Sequence, residues 1–157
     1  GGTLAGLVAG HRALEAGPQI VGIAVSRKDE GYEGRCAELA NASLAWLGSD
    51  VRVTADDFTV DRGYFEPGYE QPNEAANEAI RLLARTEGLL TDPVYTGKAL
   101  AGLLDHIRTG KIRPGETVVF WHTGGATAQD VRALIALIQK RVFETSGFHL
   151  QPEVRIW

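Results

Sequence analysis

Residues 19–26, QIVGIAVS, form a short apolar run rich in β-branched side chains. Such a run, bounded by turn residues, is typical of a buried β-strand. Two segments of helical periodicity flank it: one follows the glycines at 1–2 and stops near Gly17–Pro18, and the other covers 34–47. A buried strand between two helices predicts an α/β fold.

The same alternation continues toward the C-terminus. Segments with strand character are followed by segments with helical character, which predicts a mostly parallel sheet flanked by helices. The further expected elements are a strand-like stretch in 50–58, a loop over 61–72, a helix over 73–87, a brief strand and turn in 88–95, a helix over 95–109 and a strand over 116–125.

Composition excludes several functional classes. The chain has 157 residues, a net charge of -4 and no basic stripe, so we expect no nucleic-acid partner. Its apolar runs are far shorter than the roughly 20 residues of a membrane span, so we expect no membrane partner. The only cysteine, Cys36, excludes an internal disulfide and favours a cytoplasmic protein. The chain has no methionine and opens on GGT, so we expect a piece of a longer or processed protein.

Two glycine-containing stretches are candidate ligand sites. GGT at 1–3 precedes a helix, and backbone N–H groups at such a start can bind an anion. HTGG at 122–125 follows an apolar strand-like run, where ligands of open α/β sheets bind. By themselves both patterns favour ordinary turns over ligand sites.

The stretch DPVYTGK at 92–98 combines a tyrosine and a lysine at the start of a helix. Tyr95 there can act as an acid or base, or stack on a planar ligand. Lys98 could form a Schiff base only if it were desolvated and directed inward, and its position favours a structural or peripheral role. The four histidines lack metal-ligand spacing, so no metal site is expected.

Three motifs together carry a resemblance to a known family. GGTLAGL at 1–7, PGYEQPNEAANEAIRLLARTEGLLTDPVYTGKALAGLL at 67–104 and HTGG at 122–125 resemble the D-cysteine desulfhydrase / 1-aminocyclopropane-1-carboxylate deaminase family. The resemblance covers residues 1–126. It implies part of the Rossmann-like cofactor-binding domain of a fold-type-II lyase that depends on pyridoxal 5'-phosphate (PLP).

The resemblance also implies roles for individual residues. Gly1, Gly2 and Thr3 match the end of the phosphate-binding loop, and Thr123, with Gly124 beside it, matches the residue that binds the pyridine nitrogen. Tyr69 and Tyr95 match the two active-site tyrosines, and we expect them to be the catalytic residues.

Two threonines favour one branch of that family. The deaminases carry glutamate and leucine where this chain has Thr96 and Thr123, so the expected reaction is β-elimination from D-cysteine to pyruvate, ammonia and sulfide. The deaminase and a sulfo-lyase acting on cysteate stay open, as does a non-catalytic α/β binding module. The family's Schiff-base lysine matches no lysine here, so we expect the chain to be inactive alone. We expect an amino-acid substrate and a homodimeric full-length parent.

The C-terminal stretch resembles a different protein. Residues 127–157 are similar to the end of UDP-N-acetylenolpyruvoylglucosamine reductase, a flavin enzyme, and Glu153 matches a catalytic acid there. We assign Glu153 no role, because residues 1–126 contain no flavin domain. The expected division is therefore 1–126 for the lyase part and 127–157 for a helix and tail of foreign origin, with ordinary divergence or a flavin-reductase remnant as alternatives.

Overall fold

The chain is described by a computed structural model that covers residues 1–123, 136 and 139–149. Residues 139–146 are helical, and Ala55–Asp57 forms a single 3-10 turn. The other elements, in chain order, are α1 (Gly2–Leu14), β1 (Val21–Ile23), α2 (Tyr32–Trp46), β2 (Thr59–Asp61), α3 (Glu74–Glu87) and α4 (Thr96–Arg108).

β1 and β2 form a parallel pair across the intervening helix α2. Val21 lies opposite Thr59 and Ile23 lies opposite Asp61, and the N–H of Ala24 donates to the carbonyl of Asp61 over 2.8 Å. Parallel pairing across a helical crossover confirms the predicted α/β class. The predicted strand at 19–26 is shortened to three residues, because the pairing ends there.

Three of the expected strand segments are wrong. Val53 pairs its N–H and carbonyl with the side-chain amide of Asn41, at 3.0 and 2.9 Å, instead of with a strand. Residues 88–95 form only the expected turn, and 116–123 form no strand among the described residues. Val119 and Trp121 are exposed there, so this segment has neither the ladder nor the burial that a strand requires.

Two small apolar clusters hold the helices together. In the first, α1 packs on α2 through alanines, Val8, Leu44 and the buried Cys36, with Phe58 beneath them. In the second, α3 packs on α4 through Ala79, Leu100 and Ala101, with Phe120 against them. Small side chains allow the helix axes to approach closely. Cys36 is therefore a core residue.

α4 also contacts the sheet. A Cβ added at Gly102 would lie 2.9 Å from Cδ1 of Ile23, so α4 packs directly on β1. This contact fixes the start of α4, which carries Tyr95, relative to the strands. Among the residues described, no helix is long and apolar enough to cross a bilayer.

Candidate active site

The side-chain carboxylate of Asp92 binds the backbone at the start of α4. Asp92 accepts hydrogen bonds from the N–H groups of Val94, Tyr95 and Thr96, over 2.9, 2.6 and 3.0 Å. These N–H groups lie at the helix start, where no intrahelical carbonyl is available to them. Asp92 therefore acts as the cap of α4 and fixes the backbone at Tyr95, the residue directly before the helix.

The electrostatics of Asp92 follow from this cap. Burial by itself would raise the pKa of Asp92, but the hydrogen bonds from the Thr96 hydroxyl and from the three N–H groups outweigh it. The pKa of the carboxyl therefore lies below its ordinary value. The group is ionised at neutral pH and already satisfies the positive end of the α4 dipole.

Thr96 faces this carboxylate. Its side chain is only 3% exposed, its hydroxyl donates to Asp92 over 2.6 Å, and it accepts from the N–H of Asp92 over 2.9 Å. Both contacts are internal to the turn. Thr96, which the sequence offers as a mark of substrate preference, is thus engaged in building the start of α4.

Gly97 allows the turn to close. Its N–H donates to the carbonyl of Asp92 over 2.7 Å. An added Cβ would lie 2.6 Å from that carbonyl oxygen and 2.8 Å from Cδ1 of Ile80. A side chain at this position would therefore separate the turn from α3.

The structure brings the two predicted tyrosines into contact. The hydroxyls of Tyr69 and Tyr95 form a hydrogen bond, and their rings meet edge to face with centroids 6.0 Å apart. Each side chain is 49% exposed, so the pair faces solvent. The hydrogen bond with Tyr95 raises the pKa of Tyr69. One phenol donates to the other, and the catalytic role of the pair stays a prediction.

Lys98 is buried against the loop that carries Tyr69. Its side chain is 0% exposed, and Nζ donates to the carbonyls of Phe65 and Gly68 over 3.0 and 2.7 Å. Burial lowers the pKa of Lys98, and the charge of Glu66 opposes that shift. The peripheral alternative is wrong, because the ammonium is desolvated and both hydrogen bonds are made to backbone.

The start of α1 has the opposite character. Gly1 has no side chain with which to cap the helix, and its first turn contains no acid. Gly1, Gly2 and Thr3 are exposed, and a Cβ added at Gly2 would meet nothing within 4 Å. This helix start therefore offers N–H donors, a threonine hydroxyl and open space, which suit a phosphate group.

The segment before Thr123 is hydrogen-bonded to the chain just before the turn at 92–95 that leads into α4. The ring of His122 donates from Nε2 to the carbonyl of Leu90 over 3.1 Å, two residues before Asp92. Thr123 is exposed at the end of that segment. Gly124, the remaining predicted cofactor contact, lies outside the described residues.

Sequence reasoning missed the residues that bind the backbone of the loop at 64–69, which carries Tyr69. The Asn73 amide donates to the carbonyls of Tyr64 and Glu66, over 3.2 and 2.8 Å, and its oxygen caps α3 through the N–H of Ala76 at 2.7 Å. An asparagine directly before a helical pattern is a recognisable cap signal. Its contacts with the loop, like the burial of Lys98, have no such signal in the sequence.

Comparison with known families agrees with the predicted resemblance. A family model described as pyridoxal-phosphate dependent enzyme matches residues 1–124. A second model, the C-terminal domain of UDP-N-acetylenolpyruvoylglucosamine reductase, matches residues 100–157. The two matches overlap over 100–124, and the division at 126/127 stays a prediction.

Individual relatives point the same way. A 1-aminocyclopropane-1-carboxylate deaminase from Ralstonia nicotianae is 42% identical over 130 residues, 82% of this chain and 38% of the relative. A D-cysteine desulfhydrase from Yersinia enterocolitica is 44% identical over 127 residues, 81% of this chain and 38% of the relative. The chain thus spans about two-fifths of the length of these curated relatives.

A solved structure supports the fold. The crystal structure of an ACC deaminase homologue superposes with a TM-score of 0.68 at 34% identity, covering 86% of this chain and 40% of that one. The predicted family resemblance, fold class and PLP dependence of the family are therefore confirmed.

Proposed function

Because the chain belongs to the pyridoxal-phosphate dependent enzyme family, we propose that it forms part of the cofactor and substrate site of a carbon–sulfur lyase of the D-cysteine desulfhydrase type. The observation that carries this proposal is the hydrogen-bonded Tyr69–Tyr95 pair, half-exposed beside a rigid helix start. Two phenols in contact can position a substrate and accept or return a proton.

The residues present fit a phosphorylated cofactor. The uncapped start of α1 supplies N–H groups from Gly2 and Thr3 and the Thr3 hydroxyl, with no acid in the first turn to repel a phosphate. Thr123 supplies a neutral hydroxyl for the pyridine nitrogen. When bound, PLP provides an electron sink for the carbanion formed at the substrate Cα.

On this proposal, the protein positions the substrate and handles its proton. Tyr95, whose backbone N–H is bound by Asp92, holds the substrate and transfers a proton. The hydrogen bond between the two hydroxyls stabilises the negative charge when either phenol is deprotonated. Overall, D-cysteine and water give pyruvate, ammonia and hydrogen sulfide: the Cα–H and Cβ–S bonds break, and water replaces the amine. The full-length protein would act in amino-acid metabolism as a homodimer.

None of the chain's four lysines matches the family's Schiff-base lysine in sequence, and each has a partner of its own. Lys98 is bonded to two carbonyls, Lys28 donates to Ser26, Lys111 pairs with Asp61, and Lys140 pairs with Glu144. We therefore propose that a lysine from outside these 157 residues completes the site and that the chain is inactive by itself.

Deamination of 1-aminocyclopropane-1-carboxylate is the second candidate, because the solved neighbour and a relative at 42% identity carry that name. The difference lies at Thr123, since Thr96 is turned into the α4 cap. A neutral hydroxyl at the pyridine nitrogen favours elimination of a sulfur leaving group.

Two measurements test the proposal in sequence. First, pyridoxine 5'-phosphate, which lacks the reactive aldehyde, should raise the melting temperature of the chain, because a ligand that binds only the native state stabilises it. No shift at saturating ligand would contradict the cofactor site.

Second, the chain is mixed with the lysine-bearing N-terminal segment of the Yersinia relative and PLP. We expect sulfide and pyruvate from D-cysteine, and loss of both with Tyr95→Phe. Ammonia from 1-aminocyclopropane-1-carboxylate without sulfide from D-cysteine would establish the deaminase instead.

A further inference from the structure

Lys98 lies between the two backbone segments that carry the tyrosines. It stands one turn into α4 from Tyr95, and its ammonium binds the carbonyl of Gly68, the residue directly before Tyr69. Because its side chain is fully buried, both hydrogen bonds form away from competing water. One cation thus links the start of α4 to the loop opposite.

Side-chain donors hold most of the carbonyls of this loop, in addition to the hydrogen bond from the Tyr64 hydroxyl to Asp105 at 2.7 Å. The Asn73 amide holds the carbonyls of Tyr64 and Glu66, and Lys98 holds those of Phe65 and Gly68. Two side chains therefore satisfy four successive or nearly successive carbonyls of the same loop. Tyr69 follows this fixed stretch at once, so its ring position depends on it.

Burying an ammonium without a carboxylate partner is unfavourable. Among the described residues, only carbonyl oxygens accept from Lys98 within hydrogen-bond distance, and the charge of Glu66 acts on it without a direct contact. An apolar side chain of similar length would fill the same volume without that cost. The cation is thus placed for a contact that an apolar side chain cannot make.

We propose that Lys98 is a positioning residue: its buried ammonium fixes the 65–68 backbone and thereby sets the Tyr69 hydroxyl against that of Tyr95. The catalytic consequence rests on the proposed function, but the positioning itself is a property of the protein without ligand. The positioning role of Lys98 and the proposed function can therefore be disproved separately.

The test uses the four tyrosines of the chain as probes. Tyrosine labelled with 13C at Cζ gives four resonances, assigned with Tyr→Phe variants, in the absence of PLP. In Lys98→Met we expect the Tyr69 and Tyr95 resonances to move and the pKa of Tyr69 to fall toward its ordinary value. Tyr32, which lies at the start of α2, should be unchanged, and the exposed Lys111→Met should leave the Tyr69–Tyr95 pair unchanged. A folded Lys98→Met with that pair unaltered would overturn the proposal.

A chemical rescue covers the case in which Lys98→Met does not fold. Lys98→Cys is made in a Cys36→Ala background, aminoethylated while unfolded to give a lysine analogue, and refolded. The analogue should restore the Tyr69 and Tyr95 resonances, whereas carbamidomethylation of the same cysteine should not. Failure of the analogue to restore them, or equal restoration by both reagents, would overturn the proposal.

Discussion

The starts of α1 and α4 combine similar residues in opposite ways. Both have glycine and threonine in the first turn, and both present the positive end of a helix dipole. At α4, Asp92 occupies three N–H groups and the hydroxyl of Thr96. At α1, the first turn contains no acid, and Thr3 is exposed.

This difference shows how one local motif serves two purposes. A helix start that contains its own carboxylate is rigid and closed to external anions, so it suits the placement of a reactive side chain such as Tyr95. A start without one remains available to a phosphate. The glycines alone therefore do not distinguish the two helix starts; the difference is the bound carboxylate of Asp92 at α4.

The largest loss of stability should result from a side chain added at Gly97. Gly97→Ala places a Cβ against the Asp92 carbonyl and Ile80, and we expect a loss of about 2–3 kcal/mol in the free energy of unfolding. Urea denaturation measures it. Gly2→Ala at α1, where the space is open, is the matched control, and an equal loss in both would contradict the comparison.

Removing the α4 cap should have the next largest effect. Asp92→Ala leaves three N–H groups without their acceptor, and we expect a loss of about 1–2 kcal/mol in unfolding free energy. Chemical denaturation at neutral pH measures the change. Unaltered stability would mean that water replaces the carboxylate without cost.

Low pH should remove the stabilisation that the Asp92 carboxylate gives to the folded chain. The pKa of Asp92 is lower in the folded chain than the roughly 3.9 of an unfolded aspartate, so its stabilisation is present above pH 4 and is lost as the pH falls through the folded pKa. Between pH 5 and pH 3 the parent chain should therefore lose more stability than Asp92→Asn. Parallel pH profiles for the two proteins would refute this role of the carboxylate.

The smallest effect concerns the open start. Gly2→Asp gives α1 the acid that α4 already has, and the added charge should weaken binding of pyridoxine 5'-phosphate roughly five-fold while stabilising the helix slightly. Titration calorimetry measures the affinity. Gly2→Asn controls for size, and if it weakens binding as much as Gly2→Asp, charge is not the cause.

The helices could be predicted from the sequence because their signals are local. Apolar periodicity predicts a helix over 73–87, and α3 spans Glu74–Glu87, followed by Gly88 in the left-handed conformation. Strands were less predictable, since a strand exists only where a partner satisfies its backbone. Val53 has an apolar, β-branched pattern around it, yet its backbone is paired by Asn41 from a helix.

The site was predictable in part. The family resemblance identified Tyr69 and Tyr95, although periodicity gives no reason for residues 26 positions apart to touch. The orientation of Lys98 could not be predicted, because it depends on the path of the 65–68 loop. Thr96 showed the reverse: the resemblance marked it as a substrate determinant, and its contacts show a capping partner of Asp92.

The most direct test of the account follows backbone amide resonances of the 15N-labelled chain during titration with pyridoxine 5'-phosphate. If the open helix start is the phosphate site, the amides of Gly2, Thr3 and Leu4 should shift in a saturable way and by more than those of Val94 and Thr96. Saturable shifts at Val94 and Thr96, with the α1 amides unchanged, would contradict it.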